Sequence, residues 1–137
     1  MRWVLWIAGF LGVMIALVAI VGTRLPVTHT ASRTARIGVP PPALYPMIVE
    51  LARTSEVPVR FEREEPPSLL IARIADAKLP FGGTWTYRIA PAASGSDLTI
   101  TEDGEVYNPF FRFMSRFVLG HHATMDQFIK KLEARAR

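Results

Sequence analysis

The chain predicts an α+β domain, an antiparallel sheet gripping one long C-terminal helix, preceded by a single N-terminal transmembrane helix. Three observations carry this. Residues 3–22 form a run of twenty without a charge. Residues 84–90 alternate cleanly, with Trp85, Tyr87 and Ile89 on one face and Thr84, Thr86 and Arg88 on the other. From Phe110 to Leu132, apolar residues recur at helical spacing over about six turns.

At a rise of about 1.5 Å per residue, a helix over the apolar run spans the roughly 30 Å hydrocarbon core of a bilayer. Trp3 and Trp6 lie at one end, where indole rings favour the membrane interface. A signal peptide would have a shorter apolar region, about 7–15 residues, and a small-x-small cleavage site. Thr23, Arg24, Leu25 and Pro26 make a poor one. Residues 1–23 are therefore expected to be an uncleaved anchor, 24–28 a tether and 29–137 the domain. The expected location is the cell membrane, single-pass. Arg2 and the amino terminus favour a cytoplasmic N-terminus and an extracytoplasmic domain, although Arg24, Arg33 and Arg36 pull the other way.

Residues 29–39 alternate small or apolar residues (Ala31, Ala35, Ile37) with polar ones, which predicts a strand that Arg33 interrupts on the apolar side. Pro40, Pro41 and Pro42 end it. Residues 43–53 then read as a helix with Leu44, Met47, Ile48 and Leu51 on one face, and Pro46 near the tolerant first turn. Residues 57–63 alternate again, but Pro58 removes a ladder donor and so predicts an edge strand or a bulge. A turn at 64–67 leads to a strand at 69–74, and a connector at 75–78 follows. After the strand at 84–90, residues 91–96 make a turn, and Leu98 and Ile100 mark a further strand. Glu102, Asp103, Gly104 and Glu105 read as an acidic turn that closes or bends the sheet. Asn108 followed by Pro109 is a helix start, an N-cap and then a residue preset for the first helical position. Phe110, Phe113, Met114, Phe117, His121, Met125, Phe128 and Leu132 form the apolar stripe. Lys130, Lys131, Arg135 and Arg137 suit the C-terminal end of the helix dipole.

Composition excludes several chemistries. The chain has no cysteine, so disulfides, thiolate nucleophiles and cysteine-based metal sites are out. No Gly-x-Ser-x-Gly, His-Glu-x-x-His, phosphate-binding loop or dinucleotide fingerprint occurs. A formal net charge of +4 is modest, and with the aromatic residues on buried faces nucleic-acid binding is not expected. No metal and no cofactor is expected.

Several stretches together resemble a known family. They are residues 29–33 after the anchor, Val39 to Pro42 before the first helix, LPFGGTWTY at 79–87 and TITEDGEVYNPFFRFMSRF at 99–117. The chain resembles the START-like, helix-grip (SRPBCC) superfamily, which includes polyketide cyclases and lipid-transfer domains, and more closely its bacterial members with one N-terminal membrane span. The resemblance implies a sheet wrapped round the C-terminal helix, enclosing a pocket for apolar ligands. One departure stands out. Members usually carry further strands between the first helix and the segment before LPFGG, and about two strands' worth of chain, at roughly 5–6 residues each, is missing here. An incomplete sheet would leave the pocket smaller, open on one side, or closed by a second copy of the chain.

The candidate ligand-binding residues are Trp85, Tyr87, Phe113, Met114, Phe117 and His121. They would line a pocket between sheet and helix, with the indole and phenol as hydrogen-bonding handles; the plainer reading is that they fill the core. Glu102, Asp103 and Glu105 are carboxylates in a cluster without calcium-loop spacing, and a solvated turn is the commoner case. His121 and His122 are adjacent, point about 100° apart on a helix and cannot share one metal, and nothing in the sequence brings His29 to them. Arg88, Arg112 and Arg116 could hold an anionic group, while Arg112 and Arg116 are more simply a solvated helix face.

The expected function is a membrane-anchored, non-enzymatic binding domain for a hydrophobic small molecule or lipid. One alternative is a polyketide-cyclase-like enzyme using Tyr87, His121 or Glu102. Another is a structural or interaction module, a homodimer through the shortened sheet.

Overall fold

The apolar run becomes one uninterrupted helix. In the computed structural model, which describes residues Met1–Arg137 throughout, α1 (Arg2–Arg24) is long and apolar enough to cross a membrane. The chain then has only Leu25, Pro26 and Val27 before β1 (Thr28–Ile37), and Val27 already accepts a sheet-like bond from Val106 N at 2.9 Å. What reads as a tether in sequence is thus short and bonded at its end.

β1 is followed by α2 (Pro41–Arg53), β2 (Val59–Glu65), β3 (Leu69–Ile74), β4 (Phe81–Ala92) and β5 (Gly95–Val106). The five strands form one antiparallel sheet in the order β1-β5-β4-β3-β2. The chain therefore crosses from one sheet edge to the other through α2. Pro58 lies just before β2, which is an edge strand with a register shift between Phe61 and Arg63. β4 and β5 are joined tightly, with Ala92 paired to Gly95.

Two expectations are corrected. Residues 102–105 are not a turn: β5 continues through them, pairing Glu102 with Trp85 on one side and Ala31 on the other. The long C-terminal helix is in two parts. α3 (Pro109–Met114) starts at the Asn108 cap, whose Oδ1 accepts from Phe110 N at 2.9 Å. It widens into a π-helical turn (Ser115–Leu119), and the chain breaks at Gly120, whose φ of 73° is left-handed and accessible to glycine at no steric cost. After His121 and His122, α4 (Ala123–Arg135) begins.

One sheet face carries Ala31, Leu70, Ala72, Tyr87, Ile89, Leu98 and Ile100, all buried. Against it pack Leu44, Ile48 and Leu51 of α2 and Met125, Ile129 and Leu132 of α4. Leu98, Ile100, Met125 and Leu132 are wholly inaccessible, so the space between the sheet and α4 is filled. Burying each such side chain contributes about 1.5–3 kcal/mol. Arg33, which interrupts the apolar side of β1, reaches from that edge to α4, where its Nε donates to Asp126 at 2.9 Å.

Candidate functional site

Strand alternation builds the site. Leu98, Ile100 and Glu102 share the inward face of β5, Trp85 and Tyr87 that of β4, and His29 and Ala31 that of β1. Trp85 and Glu102 are directly opposite, so the indole Nε1 donates to Glu102 Oε2 at 2.6 Å. The other carboxylate oxygen lies 2.8 Å from His29 Nε2. His29 is paired across the ladder with Gly104, and a Cβ there would run into its imidazole ring. Both ends of the His29–Glu102 pair are largely shielded, at 18% exposure each.

The broken helix brings the second layer. His121, just after Gly120, stacks on His29 with centroids 4.0 Å apart and planes 21° from parallel. Partial burial, and then the neighbouring His29, hold the His121 imidazole below its ordinary pKa of 6.5, with Glu102 acting in the opposite direction. Burial, and after it the Glu102 carboxylate, push the Tyr87 phenol far above its ordinary range. Tyr87 is therefore a neutral hydroxyl at any physiological pH. Phe128 of α4 completes the wall, 5.2 Å from Tyr87 and edge-on to Trp85 at 6.0 Å.

Comparison with known proteins places the fold. No family model matches the chain, and no curated protein matches it. Solved structures do. A protein of Mesorhizobium loti superimposes with a TM-score of 0.60 at 16% identity, over 77% of this chain and 95% of its own. The AHSA1-like protein of Rhizobium etli gives 0.55 at 13% identity, over 81% of this chain and 83% of that one. The di-domain ARO/CYC protein StfQ of the steffimycin biosynthetic pathway gives 0.55 at 14% identity, over 80% of this chain and 51% of StfQ. The chain has the helix-grip fold.

Within the helix-grip frame the sequence-based candidates fall into two groups. Trp85 and Tyr87 meet each other at 6.1 Å on the sheet. Phe113 and Phe117 pair at 5.0 Å on α3 and the π-turn, with Met114 half-buried between them in sequence. Phe117 is 60% exposed and thus hardly part of the interior. His121 joins the sheet through His29. A cavity of about 50 Å³ lies beside this stack, lined by Val27, His29, Val106, Ser115, Arg116 and His121 among others. That holds a water or two, not a lipid. Arg88 is exposed on the far face of β4. No three His, Asp or Glu side chains converge as metal ligands would.

Two readings of single residues change. Arg112 is not a solvated surface charge: Nε donates to Val106 O at 2.8 Å, Nη2 to Tyr107 O at 2.8 Å, and Nη1 to Gly22 O and Leu25 O at 3.2 and 3.3 Å. One guanidinium thus ties the end of α1 to the end of β5 and the start of α3. His29 sits against His121 although they are far apart in sequence. A signal for Glu102 was present, because Leu98, Ile100, Glu102, Gly104 and Val106 keep a period of two. No local signal existed for His29 or for Phe128 against Trp85.

Proposed function

We propose that this helix-grip domain binds a molecule with an apolar body, a lipid or a hydrophobic small molecule, at the end of the grip nearest α1. The observation that carries the reading is the half-buried Trp85–Glu102–His29 cluster roofed by the Ser115–His122 segment. That roof is the least regular part of the fold, a π-turn and a left-handed glycine, with Phe117, Val118 and Leu119 all exposed. The α4 end is packed shut, so the occupant would enter by lifting this segment. Its apolar body would lie on Trp85 and Phe113, with a polar end at His29. The helix-grip likeness to StfQ and the AHSA1-like protein supports a concave sheet used for binding. A helix suited to cross a membrane keeps the domain where apolar molecules partition.

Fluorescence tests this directly. Trp3→Phe with Trp6→Phe leaves Trp85 as the only indole in the chain, which has three. In nanodiscs, a brominated fatty acid should quench Trp85 along a saturable curve, and Phe113→Ser should abolish saturation with the fold intact. Linear, unsaturable quenching together with no lipid retained through delipidation in mass spectrometry overturns the reading.

A second reading is favoured by the His29–Glu102 geometry. Glu102 Oε1 lies 2.8 Å from His29 Nε2, so in the neutral tautomer that donates Nε2–H to the carboxylate, Nδ1 carries the lone pair. A ring nitrogen oriented by a carboxylate is the arrangement a proton-transfer enzyme of the cyclase type would need. Turnover of an aromatic-forming polyketide substrate that is lost in His29→Gln and kept in His122→Gln would establish it. No difference between those variants removes it.

A further inference from the structure

We propose that α3 and the π-turn lie in the membrane interface itself, with Phe110, Phe111, Phe117, Val118 and Leu119 facing lipid, so that the domain is seated on the bilayer rather than suspended above it. The occupant of this apolar surface is the bilayer that α1 crosses, and the inference is independent of what the sheet binds.

The first observation is how deep α3 docks. α1 is exposed along almost its whole length; the residues that are not are Val18, Ala19 and Gly22. α3 is the element that packs against it. Gly22 is buried, and a Cβ there would overlap the backbone carbonyl of Pro109, so the two helices touch backbone to backbone. Val18 lies about 6 Å before Gly22 along the helix axis at 1.5 Å per residue. Both belong to the uncharged run of residues 3–22, so α3 lies beside the last turn of the apolar span and not beyond it.

The second observation is what α3 presents. α3 exposes Phe110 at 36% and Phe111 at 46%, and the π-turn exposes Phe117, Val118 and Leu119 at 60%, 61% and 65%. Together with the exposed Tyr107, this is a contiguous stretch of sequence in which the large apolar residues of the domain concentrate at its surface. Such a patch on a water-soluble face would be unusual. Next to a membrane-crossing helix, aromatic and aliphatic side chains over a short helical stretch are what an interfacial segment carries. The charges around it agree: Arg24 and Arg116 are exposed at this level, and the Arg112 guanidinium is spent on four carbonyls.

The third observation is rigidity. Arg112 bridges the carbonyls of Gly22 and Leu25 to those of Val106 and Tyr107, so the attitude of α1 and of the start of α3 to the sheet is set.

The absence of native cysteine allows single-site chemistry on the full chain. Val118→Cys and Phe111→Cys are compared with Ile15→Cys inside the span and Thr34→Cys on the outer sheet face, in nanodiscs of phosphatidylcholine and phosphatidylglycerol. A charged maleimide should modify the Val118 and Phe111 variants at least about tenfold more slowly than Thr34→Cys, and a membrane-soluble maleimide should modify them readily. The protection should persist with a single chain per disc. Modification as fast as Thr34→Cys overturns the proposal. So does slow reaction with both reagents, which would mean burial in protein. Protection that needs several chains per disc would assign the patch to a second copy, and a reactive Ile15→Cys would remove α1 from the bilayer; either result also overturns it.

Discussion

Trp85 and Glu102 face each other across β4 and β5, and the indole N–H donates to the carboxylate at 2.6 Å while the second carboxylate oxygen lies 2.8 Å from His29 Nε2. One carboxylate thereby satisfies two ring nitrogens at a site where water has little access. Glu102→Ala leaves both half-buried groups without their acceptor and should cost about 2 kcal/mol in urea unfolding. Glu102→Gln keeps one acceptor oxygen and should cost about half as much. Two variants as stable as the parent would show that the cluster contributes nothing to folding.

The stacked histidines make stability depend on pH with a defined sign. His121 titrates below 6.5 in the fold because burial and His29 oppose its charge; Arg116 and His122 oppose it too, and Glu102 favours it. An unfolded histidine titrates near its ordinary value, so between the two the unfolded chain binds more protons. Stability is unaffected by this group above that ordinary value. It falls as pH drops from about 6.5 through the depressed one. The expected result is a urea midpoint that declines on acidification, with a shallower decline in His121→Gln. An imidazole proton resonance for His121 with a midpoint at or above the ordinary value would contradict the account.

Arg112 is predicted to hold α1 to the domain. Arg112→Ala removes four donor contacts and should destabilise by about 2–3 kcal/mol, as for hydrogen bonds from a charged group. Arg112→Lys should restore less than half, because a single ammonium cannot span carbonyls on three segments. Spin labels at Ile15→Cys and Thr34→Cys should give a narrow distance distribution in the parent and a broad one in Arg112→Ala. Gly22→Val should broaden it as well, by forcing α1 off Pro109. An unchanged distribution in both variants would mean that neither contact sets the attitude of α1.

Tyr45 supplies a control with the opposite sign. It is 8% exposed on α2, and its hydroxyl oxygen is buried without a hydrogen-bond partner. Burial, and then Glu64, raise its pKa, which keeps the phenol neutral. Tyr45→Phe removes a desolvated polar atom and keeps the ring, so stability should stay level or rise by up to about 1 kcal/mol. A clear loss in thermal unfolding would reveal a partner for that hydroxyl in solution.

Local chemistry in the sequence determined a great deal of this protein. The uncharged run specifies α1, the alternation of Trp85, Tyr87 and Ile89 specifies β4, Pro58 foretells the irregular edge strand, and Asn108-Pro109 marks the start of α3. Each follows from side-chain period or backbone chemistry within a few residues. Two local patterns point away from the observed fold. The carboxylates of residues 102–105 suggested solvent, although their period of two already continued the strand, because a charge facing inward is rare without a partner. Gly120 interrupts the helical stripe in plain sight, yet a stripe that resumes at Met125 looks continuous when the direction of the two halves is unknown.

Only the tertiary structure decided which residues meet. The register of β1 on β5 brings His29 to Glu102, the break at Gly120 turns His121 onto His29, and α4 carries Phe128 to Trp85. The docking of α3 on α1 converts Arg112 from a surface charge into a brace. Period and capping act through neighbours in the chain. These contacts instead depend on strand register and on the angle between packed helices, which are set by how the buried faces fit together.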